Sequence, residues 1–437
     1  MDFQQMDKKT MQEDLKCGYP KVTTENLTHR TLPRCEKTPD QMNESARTFT
    51  VPVSRIAFGG DGVGRLPDGK VCFVPGALPG ETVRAGIVRD AKSFARAELL
   101  EVLEASPERR EPDCPLAGTC PGCVYRHASY DCELEWKNRQ FTDFLTRGNP
   151  AAGDIRFLPP LGAPSRNGYR NKLTFVCENG AFCYRGLDNR TAVPVADCPL
   201  GRPAIRELLA SAAPGADGQK RTFRWTIHDG ALDSGSDAWR RTAHLTEQLG
   251  AFGDFRVPKA SFFQVNIAMA SALAERVLAL LKETGTEQLL ELYCGSGVFS
   301  ILAAEHIPGL TARAVELDKA AIDAANYNAA HHGVAKRCTF LAADAGEAFR
   351  TLAASCDPAK CCVLVDPPRT GLPASLTREI GEFGPEAVLY VSCAPDTLRR
   401  DADRLAACGF RIRSAGMIDM FPATGHFESV TLFGRCA

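Results

Sequence analysis

The sequence predicts an α/β protein in which a C-terminal parallel sheet wrapped by helices follows a small β-barrel and a central α+β region. The first observation is alternation. After the helical run "NIAMASALAERVLALLKE", strand-like runs recur as "EQLLELY", "TARAVEL", "RCTFLAAD", "CCVLVDPP" and "EAVLYVSC", each followed by a helix-compatible segment. The second is the texture from Thr48 to about Leu103, where short strand-like runs are broken by glycine and proline, as in a barrel of OB type. The third is length: 437 residues exceed one domain of roughly 100 to 200.

The expected order is a polar tail over 1–46, the barrel over 47–105, the central region over 106–260 and the doubly wound domain over 261–437. Lys and Arg number 52 against 53 Asp and Glu, so a polyanion would have to meet a local basic face. No leader and no apolar run long enough for a bilayer is evident, which points to the cytoplasm and away from a membrane. In that reducing compartment the 18 cysteines read as buried thiols, metal ligands or catalytic groups, and Cys361 and Cys362 as strand fillers.

"ELYCGSGVFS" places Gly295 and Gly297 directly after an apolar strand and before a helix, where glycine lets the backbone turn sharply and approach a ligand. Glu316 ends the next strand, twenty-one residues after Gly295, in position to accept from both ribose hydroxyls. Asp344 ends the third strand, within reach of an adenine edge. The third glycine of a dinucleotide fingerprint is missing, so a nicotinamide enzyme fits poorly. With "DPP" on the fourth strand, the ordered set resembles the class I S-adenosylmethionine-dependent methyltransferases.

Cys393, in "VSCAPDTLRRD", lies where the apolar run "AVLYVS" gives way to Pro395 and a helix-like stretch. Proline suits a first helical turn, so Cys393 is expected at a strand's carboxyl end beside a helix N-terminus, whose dipole favours thiolate. Asp366 of "VDPPR" and the glycine turn should face the same crevice. Methylating oxygen or nitrogen needs no thiolate. Uracil C5 does, because it becomes nucleophilic only after a thiolate adds to C6, and a base must later take the C5 proton. "FPATGHFESV" offers Glu428 and His426 for that step.

"SCAPDTLRRD" and "FPATGHFESV", with "ELYCGSG", "VDPPRTGL" and "SFFQVN", resemble the motifs of the RNA 5-methyluridine methyltransferases from about Thr48 to the C-terminus. That resemblance implies Cys393 as nucleophile, Glu428 as base, and Gln264, Tyr293, Glu316, Asp344 and Asp366 as cofactor and active-site positions. Val298, where several relatives carry a polar residue, is left outside the expected site. Competing readings are RNA cytosine-C5 methylation, disfavoured by "DPPR" without a following cysteine; amino-methylation, which leaves Cys393 and Glu428 idle; and a non-catalytic RNA-binding factor with a vestigial fold.

"CPLAGTCPGC" spaces Cys114, Cys120 and Cys123 as C-x5-C-x2-C, and Cys198 in "ADCPLG" is a candidate fourth donor. Spacing alone admits structural zinc or a [4Fe-4S] cluster. The resemblance implies the cluster on these four cysteines, behind a TRAM barrel, in a structural or RNA-shaping role. RNA is the expected partner, with ribosomal RNA favoured over transfer RNA, and no obligate protein partner is implied. A uridine inside folded RNA must be turned out for C5 chemistry. Arg55, Arg65, Lys92 and Arg96 of the barrel, with Arg170 and Lys172, are the candidate backbone grips, and Tyr169 a candidate stacking ring.

Overall fold

The computed structural model describes residues 47–147, 155–186 and 188–435. The expected tail over 1–46 lies outside the described residues. The chain forms two compact units, and the second takes Tyr130–Thr174, Asp197–Ala213 and everything from Arg221 onward. The first holds the residues up to Ser129 with Phe175–Ala196 and Pro214–Lys220. The division therefore does not follow chain order: the central stretch expected over 106–260 contributes to both units.

In the first unit, β1 (Thr48–Ile56), β2 (Asp61–Arg65), β3 (Val71–Pro75), β4 (Thr82–Asp90) and β5 (Phe94–Glu104) close a barrel in the order β1-β2-β3-β5-β4. Strand alternation sends Val51, Val53, Val74, Val83, Ala85, Ala95 and Ala97 inward, and closure leaves no unpaired edge. The segment beyond is tied back by Arg109, which forks onto buried Glu81 at 2.5 and 2.8 Å and reaches Gly76 O at 2.7 Å.

The middle of the chain supplies α1 (Tyr130–Thr146), β6 (Arg156–Phe157), β7 (Lys172–Glu178), β8 (Ala181–Arg185), β9 (Ala192–Pro194), α2 (Pro203–Ser211), β10 (Lys220–Thr226), β11 (Gly230–Asp233), α3 (Asp237–Arg241), β12 (His244–Gln248) and β13 (Asp254–Pro258). These strands pair as antiparallel hairpins, β7 with β8, β8 with β9, β10 with β11 and β12 with β13.

From α4 (Ile267–Thr284) the expected alternation holds: β14 (Gln288–Leu292), α5 (Val298–His306), β15 (Thr311–Glu316), α6 (Lys319–His331), β16 (Cys338–Ala342), α7 (Ala345–Ala353), β17 (Cys361–Val365), α8 (Ala374–Phe383), β18 (Ala387–Ser392) and α9 (Pro395–Ala407), then β19 (Phe410–Ile418) and β20 (Glu428–Arg435). The eight-stranded sheet runs β16-β15-β14-β17-β18-β20-β19-β6, parallel from β16 to β18. Every residue of β17 and β18 is buried, as a central parallel strand covered on both faces requires. Leu289 and Leu290 point to opposite faces, the first into a layer with Leu273, Val277 and Ile301, the second into one with Phe141, Tyr390 and Leu398.

The antiparallel strand β20 lies between β18 and β19. Its register pairs Val391 with Val430 and Ser392 with Ser429, and Glu428 with Ile418 on the other side. The first ladder ends at Ser392 and Ser429, and Cys393 and Glu428 are the next residues on either side.

Candidate active site

The carboxyl ends of β14, β15, β17 and β18 make the rim on which most of the expected residues converge. At the end of β14 the chain turns through Tyr293 and Gly295, with φ of 66° and 51°, into Gly297, the N-cap of α5 at φ 81°. A Cβ on Gly297 would sit 2.8 Å from the Phe340 ring, so the turn closes only with glycine there. Glu316 braces the same turn: its carboxylate accepts from Gly295 N at 3.1 Å and Asp318 N at 3.0 Å.

A crevice of about 560 Å³, solvent at its mouth included, opens beside this turn. Its walls carry Phe262, Phe263, Gln264, Glu291, Tyr293, Gly295, Ser296, Val298, Phe299 and Asp366. Val298 is thus part of the wall, contrary to its exclusion from the sequence reading, because the first residue of α5 faces the space the glycine turn opens. Gln264 Oε1 and Ser296 Oγ are buried there without a hydrogen-bond partner among the described residues. Buried polar atoms normally have partners, so two orphans in one crevice fit a polar ligand such as S-adenosylmethionine.

Asp344 stands two residues past β16, at the start of α7. Its carboxylate is the N-cap of α7, accepting from Gly346 N at 2.8 Å and Glu347 N at 3.2 Å. Helix capping takes up this oxygen.

Beside the crevice, the charges of Glu428, Asp366 and Arg369 bear on Cys393, those of Asp366 and Arg369 on Glu428, and that of Arg369 on His426. Burial pushes the Cys393 thiol up to about 11, Glu428 and Asp366 push the same way, and Arg369 opposes them. α9 begins at Pro395, two residues after the thiol, so its N-terminal dipole lies where the sequence placed it, and burial of the thiol acts in the opposite direction. Burial also drives the Glu428 carboxyl well above its usual range, followed by Asp366, with Arg369 again opposing. Asp366 rises to about 7 through burial and then Glu316. Enclosure by the rim, then the charges of Arg369, Lys137 and Arg170, bring His426 down to about 4, so its imidazole is neutral at pH 7.

The loop leading to Glu428 is clamped from α1. Buried Lys137 donates to Glu133 at 2.7 Å, to Asp419 at 2.8 Å and to Phe421 O at 3.1 Å, and Tyr130 Oη donates to Asp419 at 2.9 Å. Ala423, at φ 69°, gives its N–H to Glu133 at 2.6 Å.

Of the RNA grips, Arg65 and Lys92 are exposed and Arg55 is half-buried, while Arg96 pairs with Asp61 at 2.6 Å. Lys172 is half-buried and its ammonium is depressed, first by burial and then by Arg224. Tyr169 is corrected from stacking candidate to packing residue: it is buried and its hydroxyl donates to Pro422 O at 3.0 Å. Arg170 lies beside it, 5.8 Å from the ring centroid.

Cys114, Cys120 and Cys123 are half-buried in the first unit, and Cys198 belongs to the second. Buried Arg126, ion-paired to Asp113, brings its charge beside Cys123. Among the described residues no group of three or more His, Cys, Asp or Glu side chains is arranged to hold a metal ion. Sequence reasoning missed Arg369, Phe262, Glu291 and Lys137. Arg369 and Phe262 stand inside quoted motifs, whereas the burial of Glu291 and Lys137 leaves no local mark.

A TRAM domain model matches residues 44–100, and a model described as tRNA (Uracil-5-)-methyltransferase matches residues 248–436. The 23S rRNA (uracil(1939)-C(5))-methyltransferase RlmD of Acidithiobacillus ferrooxidans is 32% identical over 86% of this chain and 95% of its own length. The chain belongs to the RNA uracil-C5 methyltransferase family. It is an enzyme that uses S-adenosylmethionine to methylate C5 of uracil in RNA. Another relative of this family, RlmD of Xanthomonas oryzae, is 31% identical over 93% of this chain and 99% of its own. The crystal structure of Pyrococcus abyssi tRNA (uracil-54, C5)-methyltransferase with S-adenosyl-L-homocysteine superposes with a TM-score of 0.67, covering 88% of this chain and all of that one. At 21% identity it shares the fold. Among the described residues no helix is long and apolar enough to cross a membrane.

Proposed function

We propose that this enzyme methylates a uridine of large-subunit ribosomal RNA in the cytoplasm, with Cys393 as nucleophile and Glu428 as base. The observation that carries the chemistry is the register that ends the ladder of β18 and β20 at Ser392 and Ser429, with Cys393 and Glu428 next on either side, at the rim where Asp366 follows β17. The choice of RNA is supported by near full-length relatives named for 23S rRNA at 31–32% identity.

S-adenosylmethionine supplies an electrophilic methyl group. Gln264, Ser296, Tyr293, Gly295, Gly297, Glu316 and Asp344 are the residues that would hold it, with Asp366 on the wall of the same crevice. The Cys393 sulfur adds to uracil C6, and the C5=C6 electron pair moves into an enolate. C5 then takes the methyl group as the methyl–sulfur bond breaks. Glu428 removes the C5 proton, the double bond re-forms, and the carbon–sulfur bond breaks to return the thiolate. Burial raises both acids above the usual carboxylate range, so positive charge entering the crevice favours their ionisation.

Cys114, Cys120, Cys123 and Cys198 together have the donor chemistry of a [4Fe-4S] cluster or of zinc. Methyl transfer from a sulfonium involves no net redox step, so the group would serve the fold or the RNA surface rather than the chemistry. Iron, sulfide and zinc analysis of protein purified without oxygen should give four irons per chain, and stoichiometric zinc would replace the cluster with the other group.

The test uses RNA carrying 5-fluorouridine, with ribosomal and transfer pools kept apart, S-adenosylmethionine and a denaturing gel. Fluorine cannot leave as a cation, so a covalent adduct should persist with ribosomal RNA and vanish in Cys393→Ala. With ordinary RNA, Glu428→Gln should accumulate the adduct that wild type releases. An adduct with transfer RNA alone would reassign the substrate, and none with either would overturn the mechanism.

A further inference from the structure

The glycine turn that fronts the crevice is held from behind by one side chain. Asn328 on α6 is wholly buried, and its amide has three partners: Oδ1 accepts from Arg256 N at 2.8 Å, and Nδ2 donates to Arg256 O at 3.0 Å and to Ser296 O at 3.1 Å. One acceptor and two donors are what these partners require, so neither a carboxylate nor an apolar side chain of the same size could serve all three. Two of the bonds grip β13 as a neighbouring strand would. His332, at the end of α6, holds the same strand independently, with Nε2 3.1 Å from Asp254 O. The third bond, to Ser296 O, is the one that reaches the glycine turn.

Ser296 stands between Gly295 and Gly297, whose φ angles of 51° and 81° lie outside helix and strand conformations. Such a turn depends on side chains to fix it. Glu316 takes Gly295 N at 3.1 Å and Asn328 takes Ser296 O, so two successive residues are clamped, one from β15 and one from α6. α6 comes so close that a Cβ on Gly297 would stand 3.0 Å from Ala325 Cβ, about one turn before Asn328. Ser296 Oγ is left buried in the crevice wall without a partner among the described residues, and Gln264 Oε1 is left so on the segment that follows β13. Asn328 therefore joins the two stretches of chain that carry the two orphaned oxygens. We propose that Asn328 is a positioning residue for S-adenosylmethionine, setting the glycine turn against the wall that leaves β13 so that Ser296 Oγ and Gln264 Oε1 face one ligand. Unpaired buried oxygens are costly, and a ligand that pairs both removes that cost only if the two walls are held in register.

The inference rests on reading the crevice as the S-adenosylmethionine site, and its test measures binding rather than turnover. The full chain is titrated with S-adenosyl-L-homocysteine in a calorimeter as wild type, Asn328→Ala, Ser296→Ala, the double variant and His332→Ala, and thermal unfolding of each is recorded. Asn328→Ala should weaken binding about tenfold, but less than about threefold once Ser296→Ala is present, because the hydroxyl it aims is then gone. His332→Ala loosens the same strand without touching the turn, so its unfolding temperature should fall while binding stays within about twofold of wild type. Should Asn328→Ala not fold, Asn328→Asp takes its place with the same expectation: it keeps the shape and the acceptor for Arg256 N but sets a carboxylate oxygen against Ser296 O. Binding within about twofold of wild type in the folded Asn328 variant overturns the proposal. So does an equal loss in both Ser296 backgrounds, or an equal loss in His332→Ala, either of which would leave Asn328 a residue of the fold alone. Failure of the crevice reading would show separately, as Ser296→Ala and Gln264→Ala that bind S-adenosyl-L-homocysteine as wild type does.

Discussion

Glu291 holds a carboxyl where there is no room for a charge. It is wholly buried, accepts from Ser300 N at 2.8 Å and from the Ser300 hydroxyl, and burial lifts it from 4.5 to about 8. Between those values the folded chain keeps a proton that the unfolded chain has released, so stability falls as pH rises through this window, at up to about 1.4 kcal/mol per pH unit. Glu291→Gln removes that slope. Thermal unfolding should therefore show the variant gaining on wild type at pH 8 relative to pH 5; a difference independent of pH would mean that the carboxyl ionises without penalty. At this scale the sequence was informative about which residue types gather and poor about their state. Cys393 and Glu428 were readable because their motifs sit at strand ends. The direction in which the thiol shifts was not, because it depends on how much protein covers it. The capping duty of Asp344 was hidden for a different reason, since an acid at a strand end serves a ligand or a helix equally well.

Among elements, the turn after β17 matters most to the rim. Gly371 has φ of 69°, and a Cβ there would collide with the Asp401 carboxylate and stand 3.0 Å from Thr397 Cβ. Gly371→Ala should lower stability by about 2 kcal/mol through backbone strain and displace the loop after Asp366. Urea unfolding checks the first effect; the second should appear as a fall in kcat greater than any change in KM for S-adenosylmethionine. All five parallel strands and their helices were legible, since buried strands read as continuous apolar runs and the helices follow at short spacing. The insertion of β20 between β18 and β19 was not, because strand order is set by long-range pairing that leaves no local trace in "FESVTLFG".

For the molecule as a whole, the catalytic unit begins earlier than its motifs do. α1 contributes Phe141 to the layer against the sheet, and its Lys137 binds the loop before Glu428 across more than 280 residues of chain. Glu133, Lys137 and Asp419 have fully buried side chains, so Lys137→Met leaves Asp419 without its cation and Glu133 with Arg166 alone, and should cost about 3 to 5 kcal/mol in urea unfolding. Loss of less than about 1 kcal/mol would mean that water enters this cluster. A boundary at 261, natural from the alternating pattern, leaves this clamp out, because a single amphipathic helix gives no sign of the sheet it will cover.

The ladder between β18 and β20 has a consequence for how such enzymes can diverge. Side chains alternate across a strand, so deleting one residue between Ser429 and Gly434, or adding one, would move Glu428 to the opposite face while Cys393 stayed in place. Changes of two residues would restore the face but shift the carboxylate about two residues' rise along the rim, roughly 7 Å. Homologous chains that keep the reaction are therefore expected to hold the length of this strand fixed and to place their insertions in the loops before Glu428 or after Arg435.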